Sequence, residues 1–169
     1  MVEKIKNNLT VVAFFLGLFA FITIFFPAIN IDMEKIMNVE LLWNIEGTKV
    51  VFGMEMLDEK VLEFSFLAFM AYVLPLVGVI LIYCADKKND KNYWVGAALC
   101  FVVGAILLFL MPSLLEYGKY AEAEELERWI ELGAGAIAGA VSSLLAAFSL
   151  LPTISSSFTV KKQAEETTL

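Results

Sequence analysis

The chain has 169 residues, of which 60% are hydrophobic and 18% charged, with a mean hydropathy of +0.77. That is too apolar for a soluble domain of this size, which carries roughly 45–50% apolar and about 25% charged residues and needs much wet surface. The net charge of −7 argues against nucleic acid as a partner, and two cysteines without any histidine exclude a disulfide framework and the commonest metal ligand and general base.

The first apolar run, 9–29, is close to the ~20 residues that cross a ~30 Å hydrocarbon layer. Lys4 and Lys6 precede it, but the run is longer than the apolar core of a cleaved signal and no A-x-A site follows, so it reads as a retained helix. The segment 30–63 is too long for a plain connector. Its pattern changes to alternation: Ile29, Ile31 and Met33 against Asn30, Asp32 and Glu34, then Val39, Leu41, Trp43 and Ile45. Glu46-Gly47-Thr48 reads as a turn, with Lys49 to Phe52 as a returning strand, which predicts a small antiparallel sheet with a hairpin near Gly47.

The second run, 64–85, contains Pro75 followed by Gly78, a candidate kink. Cys84 lies near its end. The third run, 93–115, carries small residues at Gly96, Cys100 and Gly104, as the first does at Ala13 and Gly17. The segment 116–131 is rich in Ala, Glu and Leu and reads as helical. The fourth run, 132–152, has the stripe Gly135, Gly139, Ser143 and Ala147, which suits close helix packing within one bundle or between copies. Pro27, Pro112 and Pro152 are expected to end helices, and Trp94 and Trp129 to anchor span edges at the membrane interface. The remainder, 153–169, is expected to be a mobile tail. The fold class is therefore an all-α membrane protein: a four-transmembrane-helix bundle with a small antiparallel β-sheet in the first extracellular loop.

Lysines and arginines set the orientation. Seven lie on the side with both termini and the loop 86–92, against five in the two longer loops, so both termini are expected to be cytoplasmic in a plasma membrane. The two outer loops hold fourteen acids against five bases, a net of −9. Asp32 with Glu34, or Glu122 with Glu124 and Glu125, could contribute to a calcium site, but no twelve-residue calcium loop is present and exposed acid runs are usually solvated.

Four helices, cytoplasmic termini and a β-rich first outer loop resemble the claudin-like membrane proteins in layout, although the Trp43 region lacks their W-GLW-C-C pattern. The segments EGTKVVFG (46–53), FSFLAFMAYVLPLVG (64–78) and MPSLL (111–115) are similar to small uncharacterised four-helix membrane proteins of Gram-positive bacteria. That resemblance implies a bacterial plasma membrane and brings no activity with it.

The four runs contain no Asp, Glu, Lys or Arg, which disfavours an enzyme or a coupled carrier. No catalytic, cofactor-binding or metal-binding residue is singled out. The leading expectation is an interaction, scaffold or accessory subunit working through its acidic extracellular face. Its partners would be the lipid bilayer and a second copy, another membrane protein or a cell-envelope component, with Trp43, Phe52, Met54 and Met56 as candidate contacts. The alternative is an oligomeric channel whose pore is lined by Ser142, Ser143 and Ser149 below an acidic outer vestibule.

Overall fold

The computed structural model describes the backbone of residues 2–32, 42–56, 59–88, 90–118 and 130–166, and side chains for 7–31, 44–55, 60–88, 90, 92–118 and 130–155. Four long helices dominate: α1 (Val2–Ile22), α3 (Phe66–Lys88), α4 (Lys91–Phe109) and α5 (Ala134–Glu166). Each is long and apolar enough to cross a membrane. They pack in the order α3, α4, α5, α1, and a smaller contact between α1 and α3 closes the ring.

The outward faces of these helices are apolar. Phe15, Phe19, Leu99, Val103, Ile106, Val141, Leu145 and Phe148 are all exposed. A soluble monomer rarely shows contiguous apolar patches beyond a few hundred Å². The belt points to a multi-pass membrane protein.

Inside the bundle, small residues let helices approach. A Cβ on Gly17 of α1 would lie 2.5 Å from the ring of Phe101 on α4, and one on Gly78 of α3 would lie 2.9 Å from the same ring. One fully buried phenylalanine thus seats against two glycines from different helices. Pro75 stays inside an unbroken α3, fully buried, and a Cβ on Gly104 of α4 would lie 2.8 Å from its ring and 3.4 Å from the Ala71 carbonyl. That carbonyl is the one left without its helical donor by the proline. The stripe on α5 lies within the chain: Gly135 meets Phe26, Gly139 meets the Thr23 hydroxyl and Leu108, and Ser143 and Ala147 are buried.

At the end remote from the termini, called here the loop side, the chain builds two small sheets. β1 (Pro27–Asp32) is the central strand of a three-stranded antiparallel sheet, between β2 (Leu42–Glu46) and β5 (Ile130–Leu132). β3 (Met54–Met56) and β4 (Glu59–Leu62) form a separate hairpin. The alternation at Ile29–Ile31 and Trp43–Ile45 does encode strands, and Ile29, Ile31 and Ile45 are buried against the bundle in one core with Tyr72, Leu108 and Ala136.

Several expected boundaries differ. No hairpin turns at Gly47. Residues Gly47–Phe52 form a short helix, α2, and β2 pairs backward with β1. Val50 and Val51 are buried, so packing overrides the β preference of their branched side chains. The first span ends at Ile22, with a 3-10 turn at Thr23–Phe25; Ala28 and Ile29 after it lie buried in a strand rather than a helix. The third helix stops at Phe109 before a 3-10 turn, Met111–Leu114. The segment read as helical, 116–131, begins with a bridge from Tyr117 to Leu62 and ends in β5; residues 119–129, Trp129 among them, lie outside the described residues. Pro152 does not end the fourth helix, which runs on to Glu166, through part of the segment expected to be a tail. A helix in an apolar surround tolerates proline because the freed carbonyl finds other partners. Trp94 is only 7% exposed, packed among Ala13, Ile82, Ala85 and Ala97. The alanines leave room for the indole, so it is an internal side chain at a helix end rather than an exposed anchor.

Candidate interaction surface

The loop side is one hydrogen-bonded unit. Gly47 donates its N–H to Phe26 O at 3.1 Å, and a Cβ there would lie 2.5 Å from the Tyr72 hydroxyl and 2.8 Å from Ile24 O. Only glycine lets α2 start so close to the bundle. The helix buries Val50 and Val51 and leaves Phe52 at its end 63% exposed. Gly53 then reverses the chain at φ 92° and ψ 163°, a region essentially restricted to glycine, while its N–H bonds Lys49 O at 3.0 Å.

Ser65 locks this unit to the bundle. Its N–H donates to Val51 O at 3.1 Å, and its hydroxyl donates to Leu114 O at 2.6 Å and accepts from the Ala68 N–H at 3.2 Å. The last bond caps the start of α3. Glu63 N–H to Glu116 O at 2.8 Å and Gly118 N–H to Val61 O at 3.1 Å tie the second loop to the first.

Flanking Ser65, Phe64 and Phe66 project outward, 52% and 59% exposed. Phe52, Phe64 and Phe69 form an aromatic cluster with ring centroids 6.2 to 6.5 Å apart. These separations suit tilted aromatic contact. Beside the cluster is a cleft of about 640 Å³ between α2 and the β3–β4 hairpin, rimmed by Glu55, Lys60 and Glu63. Glu55 and Lys60 face each other in the strand register. An apolar centre with a charged rim is the usual anatomy of a protein contact.

Of the residues expected to make contact, Phe52 is exposed at the centre of this surface, and Met54 is half-buried against the core. Trp43 pairs with Ile31 and Met56 with Glu59 in the backbone register, but both side chains lie outside the described residues. Phe64 and Phe69 were not anticipated as contacts, since they sit inside an apolar run; the Phe-Ser-Phe pattern around a helix-capping serine is the signal that marks them. The acids considered for calcium, Glu34, Glu122, Glu124 and Glu125 and the Asp32 side chain, lie outside the described residues. Ser142 and Ser143 are buried within the bundle, and Ser149 donates to Leu145 O at 2.8 Å.

Comparison with protein-family models, with curated proteins and with solved structures finds no match to this chain.

Proposed function

We propose that this chain is a multi-pass protein of a bacterial plasma membrane, with both termini cytoplasmic, that serves as an interaction, scaffold or accessory subunit through its extracellular side. The observation that carries the reading is the exposed Phe52–Phe64 pair. It is continuous with the apolar belt through Phe66 and Leu67 and is bordered by Glu55, Lys60 and Glu63. A partner fitting that surface presents an apolar patch at the level of the membrane interface and a polar edge above it. A second membrane protein or another copy of this chain has that form. The apolar side of the three-stranded sheet packs on the bundle and adds nothing to the contact. The pore alternative finds less support, because the outward face of α5 is Ile137, Val141, Leu145, Phe148 and Leu151, with Ser142 and Ser143 turned inside.

The reading is tested by the double variant Phe52→Ser/Phe64→Ser. Both side chains are exposed, so folding should survive with a loss near that of a weak aromatic pair, about 0.5–1.5 kcal/mol. Association with the partner should be lost. Unchanged association in the folded variant would remove the surface from the account.

A further inference from the structure

At the opposite end of the bundle, a cleft of about 640 Å³ opens between α1 and α3, within the size range of ligand sites. Its walls are largely apolar, with Val11 and Phe14 from α1, Ile82 and Ala85 from α3, and Trp94 from α4, and the buried Thr153 of α5 is their polar member. Its outer rim is polar, with Asn7 and Thr10 one to two turns nearer the helix end on α1 and Asp86 one turn nearer on α3. From Asn7 to Phe14 the helix rises about 10 Å. The cleft is thus graded from charged to apolar along the direction in which a bilayer is graded.

One charge lies in the mouth and one of opposite sign lies beside it. Asp86 lines it directly, and Lys87 holds its ammonium 4.5 Å over the ring of Tyr83, which also lines it. Lys88 is turned to Tyr93 instead, with a 2.9 Å hydrogen bond. The sides of the opening are Val11, Phe15 and Tyr83, all more than half exposed and part of the outward apolar belt. A ligand would therefore enter sideways from lipid.

We propose that this cleft binds a single glycerophospholipid with a primary-ammonium, zwitterionic headgroup. One acyl chain lies along Phe14, Ile82 and Trp94. The ammonium donates to Asp86 and the phosphate faces Lys87. The acyl chain and the ammonium have counterparts in the cleft and the phosphate has one beside it in Lys87, whereas an anionic head would meet Asp86 unfavourably and a quaternary amine has no N–H to donate. The site is on the face remote from Phe52 and does not rest on the contact proposed there.

The test places Trp94 as the only tryptophan, through Trp43→Phe and Trp129→Phe, in discs of phospholipids brominated on the acyl chain. Bromine quenches an indole only at contact. The expected result is quenching at a bromolipid fraction about two- to fivefold lower for phosphatidylethanolamine than for phosphatidylcholine or phosphatidylglycerol, the preference of a solvent-exposed ion pair. Asp86→Asn should remove the headgroup preference, and Thr10→Phe, which fills the cleft, should reduce quenching by every lipid. Equal quenching by all three headgroups, a preference for the anionic one, or no quenching overturns the proposal. Should the tryptophan-depleted chain fail to fold, mass spectrometry of lipid retained by the unsubstituted protein decides: enrichment of the ethanolamine lipid over the bulk, absent in Thr10→Phe, supports the site, and retention matching the bulk refutes it.

Discussion

Replacing Gly17 by Ala should destabilise the bundle, and much of that loss should disappear when Phe101 is removed as well. The added Cβ would lie 2.5 and 2.8 Å from two atoms of the Phe101 ring and 2.6 Å from a Val79 methyl. The ring is fully buried and its edge is already 2.9 Å from the Cβ position of Gly78, so it has little space to yield. Overpacking of this kind costs about 1–3 kcal/mol. Phe101→Ala alone should cost about 3–5 kcal/mol, because it empties the space where α1, α3 and α4 meet. In the double variant the new methyl enters that space, and the loss should fall short of the sum of the two by about 0.5–3 kcal/mol. The contact with Val79 remains, so relief should be partial. Unfolding in bicelles by dodecyl sulfate, followed by far-ultraviolet circular dichroism, measures all four corners of the cycle. A double-variant loss equal to the sum within about 0.5 kcal/mol would show that Gly17 and Phe101 do not meet.

Ser65→Ala should cost about 1–2 kcal/mol through the lost helix cap, and more through the Leu114 carbonyl left unpaired; the same unfolding titration measures it. Gly53→Ala forces a side chain into a conformation at φ 92° and should cost about 1–3 kcal/mol, seen as faster proteolytic cutting between β3 and β4. For orientation, green fluorescent protein fused after Leu169 should fluoresce and alkaline phosphatase fused there should be inactive; the reverse pattern would place the termini outside.

The parts of this fold legible in the sequence are those with a local cause. Four apolar runs without charge mark four helices, and alternation from Ile29 to Ile45 marks β1 and β2, because both patterns repeat within one element. Local pattern gives way where a distant contact decides. Val50 and Val51 look like strand residues, yet the approach of Gly47 to Tyr72 and Ile24 sets a helix there. β5 begins 98 residues after the end of β1, the strand beside it, and its residues adjoin an Ala- and Glu-rich stretch that favours helix; the Gly133 N–H bonded to Ala28 O at 2.8 Å holds it in place. Pro152 misled for a related reason, since the rule that proline ends a helix is written for water. As for the candidate surface, Phe52 was legible as an apolar residue in a polar loop. Phe64 was not, because hydropathy assigns it to the membrane and only Ser65 reveals that the helix begins after it.

The central claim is that the loop side is a contact surface. Its most direct measurement is the particle mass of the protein extracted from its own membrane into lipid discs, compared between the unsubstituted chain and Phe52→Ser/Phe64→Ser. The expected result is a mass above one chain, from a second copy or a stoichiometric membrane partner, falling to a single chain in the variant while its helical content stays the same. A single bare chain in both, or an identical assembly in both, contradicts the claim.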